Sequence, residues 1–183
     1  MHEKTTNFVR VEDSEELKQF LTRDSLLAAY QLGDLDPRYA PYCTWFGCRD
    51  GEGVLTHVLL LYTGLSQPSV LILGPEEGLE VLLEGVKPCL PNEVYVQILP
   101  EHQALVTDVL GQGDLKRMVR MGLQRRTFCL QSESYCVEEI THADTAALMS
   151  LYRYYPDHFF EPYQLETGLY FGIWEEGELV AAA

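Results

Sequence analysis

Apolar residues change their spacing several times along the first 110 residues, and each spacing predicts an element of secondary structure. Continuous or alternating apolar runs predict β-strands, and apolar positions three and four apart predict helices. Asp13 and Glu16 predict a capping box at the first helix. The predicted order is strand 7–11, a helix after Asp13, helix 25–32 stopped by Gly33, a hairpin of strands 43–49 and 54–62, strand 69–73, helix 76–86, strand 93–99 and helix 101–110.

Two more short runs are predicted to close the sheet of this first region, at residues 115–121 and 127–130. Residues 131–134 are polar and without apolar content, which predicts a linker. We therefore interpret residues 1–130 as one complete α+β domain, a mixed sheet flanked by helices.

A second region, residues 135–183, starts with the same kinds of pattern. The predicted elements are a strand at residues 136–140, a helix begun by Thr141 and Asp144, an aromatic loop, a short helical stretch and a β-hairpin at residues 170–183. The last strand consists of small apolar residues up to Ala183, whereas domain ends are usually polar. We therefore expect a second domain that is cut at its third strand.

The two predicted hairpins repeat one pattern. Residues 45–55 and 170–180 both have an aromatic residue, Phe and Gly, two further residues, an acidic turn with Gly and an apolar strand. Before each hairpin, a short strand is followed by Asp13 or Asp144 and an amphipathic helix. A repeat of domain size predicts two related domains. The alternative is that any strand–helix–hairpin start gives such a pattern.

The second region resembles the opening third of the GCN5-related N-acetyltransferase family, in which a strand, two helices and a hairpin precede the strand and loop that bind acetyl-CoA. The resemblance rests on Tyr170-Phe171-Gly172-Ile173, an acidic-Gly turn and Glu178-Leu179-Val180-Ala181. It implies an acyl-CoA N-acyltransferase-like fold, complete in residues 1–130 and begun in residues 135–183. It also implies that the full-length protein transfers an acetyl group from acetyl-CoA to an amine of a small molecule or a peptide.

The family binds the coenzyme pyrophosphate at the loop after its fourth strand, with Gln or Arg followed by x-x-Gly-x-Gly or Ala. Exposed N–H groups at a helix N-terminus make such a loop an anion site. No Gln or Arg of this chain starts that pattern, and the corresponding loop contains Pro75, Glu76 and Glu77. Proline lacks an N–H, and the glutamates repel a phosphate. We therefore expect a degenerate first domain and no cofactor bound to this chain. The coenzyme loop would lie beyond Ala183, and the catalytic residues are unknown.

Six aromatic side chains lie within residues 151–163, where the family's loop between its first two helices lines the acceptor site. One interpretation is an aromatic-walled pocket in which Tyr155, Asp157, Glu161 and Tyr163 bind a cationic amine, through charge and cation–π contact. The other is an interdomain seam or a homodimer patch built from the same aromatic residues.

The net charge of −15 is unevenly distributed. Residues 131–183 carry ten carboxylates against Arg153 alone, and residues 1–130 carry eighteen carboxylates against twelve basic residues. This balance disfavours nucleic acid as a partner. An acidic second domain would favour a cationic substrate by long-range steering, but a solvated acidic surface is the interpretation that we favour. The basic residues Lys116, Arg117, Arg120, Arg125 and Arg126 are expected on a solvated face of alternating strands, with a phosphate site as the alternative.

The five cysteines and five histidines show no spacing typical of a metal site, so we expect no metal and reduced core thiols. His57 lies in an apolar strand and is expected to be a satisfied core or interdomain histidine. No apolar run is long enough to span a membrane, and the N-terminus lacks the features of a signal peptide. These features predict a cytoplasmic protein without a membrane partner.

Two hypotheses of function follow. The chain is the N-terminal part of an acetyl-CoA-dependent N-acetyltransferase with tandem domains, or it is a non-catalytic ligand-sensing or dimerisation module that keeps the fold without the chemistry. The reading frame after Ala183 would separate them. A strand followed by Gln or Arg-x-x-Gly-x-Gly favours the enzyme, and a stop codon favours the module.

Overall fold

The computed structural model describes residues 6–120, 136–155 and 158–183. The chain divides into two compact units, Met1–Gly122 and Leu123–Ala183. Each unit combines a β-sheet with helices, so the α+β class predicted from the sequence is confirmed. The predicted linker, residues 131–134, lies outside the described residues.

The first unit builds one mixed sheet. Its elements in chain order are β1 Asn7–Arg10, α1 Ser14–Leu21, α2 Ala29–Gly33, β2 Cys43–Arg49, β3 Leu55–Tyr62, β4 Ser69–Leu73, α3 Leu79–Val86, β5 Tyr95–Gln97 and α4 Gln103–Leu110. The strand order is β1-β2-β3-β4-β5. The first four strands pair antiparallel, and β5 pairs parallel to β4. The predicted mixed sheet flanked by helices is therefore present.

Helices cover both faces of this sheet, because β2, β3 and β4 carry apolar residues on both sides. On one face, Trp45, Val58 and Leu60 pack with the buried leucines of α1. On the other, Phe46 and Leu59 pack with α3 and α4. Consequently β4 is buried throughout, and β3 is buried except at Thr56.

The N-terminus of α1 differs from the predicted capping box in one of its two bonds. The Asp13 carboxylate accepts hydrogen bonds from the backbone N–H of Glu15 (2.9 Å) and Glu16 (3.2 Å), so Asp13 caps the helix as predicted. The Glu16 carboxylate instead accepts two bonds from the Arg49 guanidinium, one of them 2.7 Å long from Nη2. An ion pair to β2 has replaced the local bond.

Several predicted elements are shorter or absent, among them the strand predicted at residues 93–99, which extends only from Tyr95 to Gln97. The helix predicted for residues 76–86 begins only at Leu79, because Gly78 before it has a left-handed backbone with φ of 90°. Residues 115–120 have no regular structure, so the strand predicted at residues 115–121 is wrong where it is described. Residues 127–130 lie outside the described residues.

The start of α2 is also later than predicted. Ala29 rather than residue 25 begins the helix. The Asp24 carboxylate accepts from the N–H of Leu27 at 3.0 Å and holds the preceding residues in a turn. A side chain that satisfies the backbone locally has competed with the helix.

The second unit has a smaller sheet. Its elements are β6 Val137–Glu139, α5 Thr145–Tyr152, β7 Phe171–Glu175 and β8 Glu178–Ala182, with short 3₁₀ segments at His142–Asp144 and Pro162–Thr167. The strand order is β6-β7-β8, with both pairs antiparallel. One face of the sheet packs on α5 through Ile140, Leu148 and Leu179.

The first three strands of the two units pair in the same register. Gly47 of β2 lies opposite Val58 of β3, and Gly172 of β7 lies opposite Ala182 of β8. In both hairpins a β-bulge lies between the first and the second residue after that glycine. The hairpin likeness predicted from the sequence is therefore present in the backbone pairing.

The repeated sequence pattern matched Leu55 with Val180. In the structure, the second strands of the two hairpins are offset by one residue from that match. A Cβ on the hairpin glycine would lie 2.6 Å from Cδ1 of Leu55 in the first unit and of Leu179 in the second. The turns explain the shift: residues 51–53 form the first, and residues 176–177 the second.

Candidate functional site

The second unit has an open cleft of about 320 Å³ between the last turn of α5 and β8. Its lining residues are Leu151, Tyr152, Tyr155, Val180, Ala181 and Ala182. In the described residues β8 pairs only with β7, and three of its residues form one wall of the cleft. The cleft therefore combines aromatic side chains with small residues that leave room for a ligand.

A capping box fixes the helix that supplies the aromatic wall. The Asp144 carboxylate accepts from the backbone N–H of Thr141 at 2.9 Å and from its hydroxyl at 2.8 Å. These bonds, the backbone bond first, lower the pKa of Asp144. Leu148, one turn further, is fully buried in the unit's core. Tyr152 follows four residues later on the same side of the helix, which directs it toward the sheet.

Stacked rings hold Tyr152 in place. Its ring centroid lies 4.9 Å from that of His158 and 5.5 Å from that of Phe160, and Phe160 packs edge-on against Tyr170 at 5.5 Å. Burial raises the pKa of the Tyr152 phenol, so the hydroxyl is neutral at pH 7. Tyr152 therefore presents a rigid ring and a neutral hydroxyl to the cleft.

The structure brings one of the four predicted substrate-binding residues to this cleft. Tyr155 lines it and is 62% exposed. Glu161 and Tyr163 are partly buried and do not line it. Asp157 lies outside the described residues.

Glu161 has a structural role that the sequence could have revealed. Its carboxylate caps the 3₁₀ segment Pro162–Thr167, and the Gln164 amide oxygen accepts from the Glu161 N–H at 3.2 Å. Glu-Pro-x-Gln is a capping-box pattern with proline at the first helical position. Neither this pattern nor the part of β8 in the cleft was predicted from the sequence.

The first unit has a cleft at the corresponding place, with a volume of about 290 Å³. The positions in each cleft can be counted from a buried leucine in the first helix of its unit, Leu17 or Leu148. On that count, Phe20, Leu21 and Asp24 of this cleft correspond to Leu151, Tyr152 and Tyr155 of the other. In the first unit a further wall comes from the end of β4 and the loop after it. That wall has no counterpart in the described residues of the second unit.

His57 fills the inner side of the β4–α3 loop, residues 74–78. Its Nε2–H donates to the Pro75 carbonyl at 2.9 Å, and its Nδ1 lies at hydrogen-bond distance, 2.8 Å, from the Thr56 hydroxyl oxygen. A Cβ on Gly74 would lie 2.5 Å from the imidazole Cδ2. Burial lowers the pKa of His57, so the ring is neutral. The prediction of a satisfied core histidine is confirmed.

Glu76 and Glu77 of this loop are exposed. The Pro75 carbonyl, aimed inward, is already occupied by the imidazole. Phosphate sites at helix N-termini require convergent N–H groups and a concave space. In this loop the His57 side chain fills the space, and the exposed side chains of Glu76 and Glu77 are negatively charged.

Of the basic cluster, Arg120 has partners in three other segments of the first unit. Arg120 donates to the Leu27 carbonyl and, at 3.3 Å, to the Gln97 amide oxygen, and its guanidinium lies 4.6 Å from the Tyr30 ring centroid. This segment has no regular structure, so the predicted face of alternating strands is wrong for residues 115–120. Arg125 and Arg126 lie outside the described residues.

Four cysteines are described, and all are free thiols: Cys43, Cys48, Cys89 and Cys136. Burial raises the pKa of Cys43 to about 12 and that of Cys48 to about 11, as for inert core thiols. Cys89 and Cys136 are exposed, so the prediction of core thiols is wrong for these two. Over residues 6–120, 136–155 and 158–183, no cluster of His, Cys, Asp and Glu could hold a metal ion.

No family model and no curated protein matches the sequence. Among solved structures, the chain is similar to glucosamine-6-phosphate N-acetyltransferase from Arabidopsis thaliana, with a TM-score of 0.40 and 11% identity. The match covers 64% of this chain and 99% of the other. None of the helices in the described ranges is long and apolar enough to cross a membrane.

Proposed function

We propose that this chain is the N-terminal part of an acetyl-CoA-dependent N-acetyltransferase with two related domains. The first unit is the degenerate domain, the second is the start of the active one, and the coenzyme-binding loop follows Ala183. The observation that carries the proposal is the common register of the two hairpins, each with a bulge after a glycine. This register supports a duplication, and the acetyltransferase resemblance supplies the activity.

The β4–α3 loop supports the assignment of the first unit as degenerate. His57 occupies its inner side, and Pro75 offers a carbonyl rather than an N–H. Glu76 and Glu77 oppose a pyrophosphate by charge. A coenzyme site would therefore have to come from the second domain.

The cleft of the second unit is the proposed acceptor site. A protonated amine is attracted by the excess of carboxylates in residues 131–183 and can rest against the ring of Tyr155. The Tyr152 hydroxyl, held by stacking on His158, can donate a hydrogen bond to a polar group of the acceptor. Acetyl-CoA supplies the thioester, and the residues of this chain bind and orient the amine.

Calorimetry with acetyl-CoA tests the location of the coenzyme site. We expect no binding, or only weak binding, to the 183-residue chain, and binding to a chain extended to the natural stop codon. Tight, salt-sensitive binding to the short chain would contradict the proposal and would direct attention to the Lys116–Arg126 region.

Substitutions test the acceptor cleft in the extended protein. Tyr155→Ala should raise KM for a cationic amine about tenfold, corresponding to roughly 1.4 kcal/mol of lost contact. Tyr154→Ala is the matched control, because Tyr154 is 80% exposed and does not line the cleft. Equal effects of the two substitutions on KM would argue against the cleft as the acceptor site.

Glu161→Gln tests whether Glu161 binds the amine in addition to capping the 3₁₀ segment Pro162–Thr167. Glutamine can still accept the capping hydrogen bond, so the fold should persist while the charge is lost. A tenfold rise of KM supports a binding role. An unchanged KM would leave Glu161 as a cap only.

The alternative function is a non-catalytic ligand-sensing or dimerisation module, in which the two clefts bind small molecules or the aromatic residues join two copies. Exposed Tyr154 and Tyr155 favour this alternative, because aromatic residues are enriched in interfaces. A stop codon after Ala183, together with a dimer in sedimentation experiments that Tyr154→Ala weakens, would favour it over the enzyme.

A further inference from the structure

The cleft of the first unit combines an apolar interior with two exposed, oppositely charged side chains. Leu21, Ala28 and Leu73 line the cleft and are buried, with exposed fractions of 1%, 1% and 7%. Arg23 and Asp24 line the same cleft and are exposed, so the charges lie on its solvent side. The volume of about 290 Å³ is close to the lower limit of the roughly 300–1,000 Å³ typical of ligand sites. The cleft therefore suits a small molecule with an apolar body and a charged head.

Two contacts hold the Arg23 guanidinium beside the cleft. Its Nη1 donates to the Leu55 carbonyl oxygen at 3.3 Å, and its Cζ lies 4.9 Å from the Phe20 ring centroid. In the described part of the chain Arg23 forms no ion pair, and its Nε and Nη2 have no hydrogen-bond partner. These two nitrogens lie on one side of the planar guanidinium, where they can donate two parallel hydrogen bonds to a carboxylate. Arg23 is therefore positioned to bind the carboxylate of a ligand.

Asp24 supplies the opposite charge with one oxygen to spare. Its Oδ1 accepts from the Leu27 N–H at 3.0 Å, which fixes the carboxylate against the turn before α2. Its Oδ2 has no hydrogen-bond partner, and Asp24 forms no ion pair with any residue that the structure describes, Arg23 included. An ionised carboxylate oxygen can only accept, so Oδ2 is suited to an ammonium group.

The second unit lacks this pair of charges. On the count from Leu17 and Leu148, Arg23 and Asp24 correspond to Tyr154 and Tyr155. The cleft of the second unit therefore presents aromatic rings where that of the first presents a cation and an anion. The ligand of the first cleft has to differ in chemistry from the amine proposed for the second.

We propose that the cleft of the first unit binds a free α-amino acid with an aliphatic side chain. The carboxylate of the amino acid binds Nε and Nη2 of Arg23, its ammonium group binds Oδ2 of Asp24, and its side chain lies against the buried leucines. The two charges of an α-amino acid are attached to one carbon atom, which matches two charged residues that are neighbours in the chain. A simple acid or a simple amine would leave one of these two side chains without a partner.

Calorimetry on the 183-residue chain without acetyl-CoA tests this proposal, with L-leucine as the probe. L-leucine should bind. Isocaproate, which is leucine without its amine, and isoamylamine, which is leucine without its carboxylate, should each bind about tenfold more weakly or worse. Glycine, which has both charges and no apolar body, should also bind more weakly. No binding of L-leucine, or equal binding of L-leucine and either analogue, would overturn the proposal.

Substitutions of the two charged residues give a second readout. Arg23→Met and Asp24→Asn should each weaken the binding of L-leucine about tenfold. Asparagine can still accept from the Leu27 N–H, so the turn before α2 should persist. Lys18→Met is the matched control, because it removes a positive charge from α1 at a position that does not line the cleft. Equal affinities of the Arg23→Met and Lys18→Met variants for L-leucine would overturn the proposal.

One further variant distinguishes the two clefts. Tyr155→Ala alters the cleft of the second unit and should leave the affinity for L-leucine unchanged. Weaker binding in Tyr155→Ala together with unchanged binding in Arg23→Met would place the amino acid in the second unit and overturn the proposal. The amino-acid site does not depend on the proposed acetyl transfer, because all of its residues belong to the first unit. An extended chain that fails to bind acetyl-CoA but binds L-leucine would contradict the proposed function and support the amino-acid site.

Discussion

Replacing Gly47 by alanine would test the close approach of strand and side chains that defines the first hairpin. The new Cβ would lie 2.6 Å from Leu55 Cδ1, 2.7 Å from the His57 carbonyl oxygen and 3.1 Å from Val11 Cγ2. A leucine methyl can turn away, but the carbonyl belongs to the backbone of β3. The two strands would therefore have to move apart.

Gly172 provides a comparison at the same position of the second hairpin. There the new Cβ would lie 2.6 Å from Leu179 Cδ1, 2.9 Å from Ile140 Cδ1 and 3.1 Å from the Ala181 carbonyl oxygen. The two closest atoms are flexible side-chain ends, and the carbonyl is further away. Because overpacking costs about 1–3 kcal/mol, we expect roughly 2–3 kcal/mol for Gly47→Ala and about 1 kcal/mol for Gly172→Ala.

The two tryptophans allow each unit to be followed separately. Trp45 lies in β2 and Trp174 in β7, and the sequence contains no other tryptophan. Urea unfolding of Gly47→Ala in a Trp174→Phe background reports the first unit, and Gly172→Ala in a Trp45→Phe background reports the second. With a slope of about 2 kcal/mol per molar urea, Gly47→Ala should lower the midpoint by about 1–1.5 M.

Gly51→Ala is the control, because a Cβ at Gly51 would meet nothing within 4 Å. It should leave the midpoint of the Trp45 signal nearly unchanged. A Gly47→Ala midpoint equal to that of Gly51→Ala would refute the steric reasoning. A larger loss of unfolding free energy for Gly172→Ala than for Gly47→Ala would refute the expectation that the closer backbone carbonyl makes Gly47→Ala the more destabilising substitution.

Three further predictions concern charge in the first unit. Burial lowers the pKa of His57 below its ordinary value of 6.5, so below that pH the unfolded chain binds the proton more readily than the folded chain. The stability of the first unit should therefore fall with acidification, and His57→Gln should remove that part of the pH dependence of the urea midpoint. Burial raises the pKa of Asp34 to about 6 from 3.8, so stability is lost as pH rises between these values, and Asp34→Asn should stabilise the unit by roughly 1–2 kcal/mol at pH 7 but not at pH 4. Arg49→Met and Glu16→Gln should each lower the free energy of unfolding by about 1 kcal/mol, and the double variant should lower it by little more than either, because each substitution removes the same ion pair. Additive losses in the double variant would show that the ion pair contributes nothing to stability.

Local patterns predicted much of the secondary structure. The Asp13 cap and the Thr141–Asp144 capping box depend on atoms two to four residues apart, so the sequence contains all of the information that they need. The same holds for the hairpin turns. The prediction failed where a local pattern was overlooked, as at Glu161, or where a side chain competed with the backbone, as at Asp24.

The candidate site was only partly predictable. The aromatic stretch identified Tyr155 and the region of Tyr152. The other wall of the cleft comes from β8, nearly thirty residues further along the chain. No spacing rule connects a helix end to a strand edge, because their proximity depends on how the sheet packs on the helix.

The sequence by itself determined the α+β class, the alternation of strands and helices and the repeated hairpin pattern, because periodicity and turn chemistry act over a few residues. Only the tertiary structure decided the rest. It placed Glu16 on Arg49 and filled the β4–α3 loop with His57. These features join residues that are distant in the sequence, and their free energy comes from desolvation and packing, which no local pattern records.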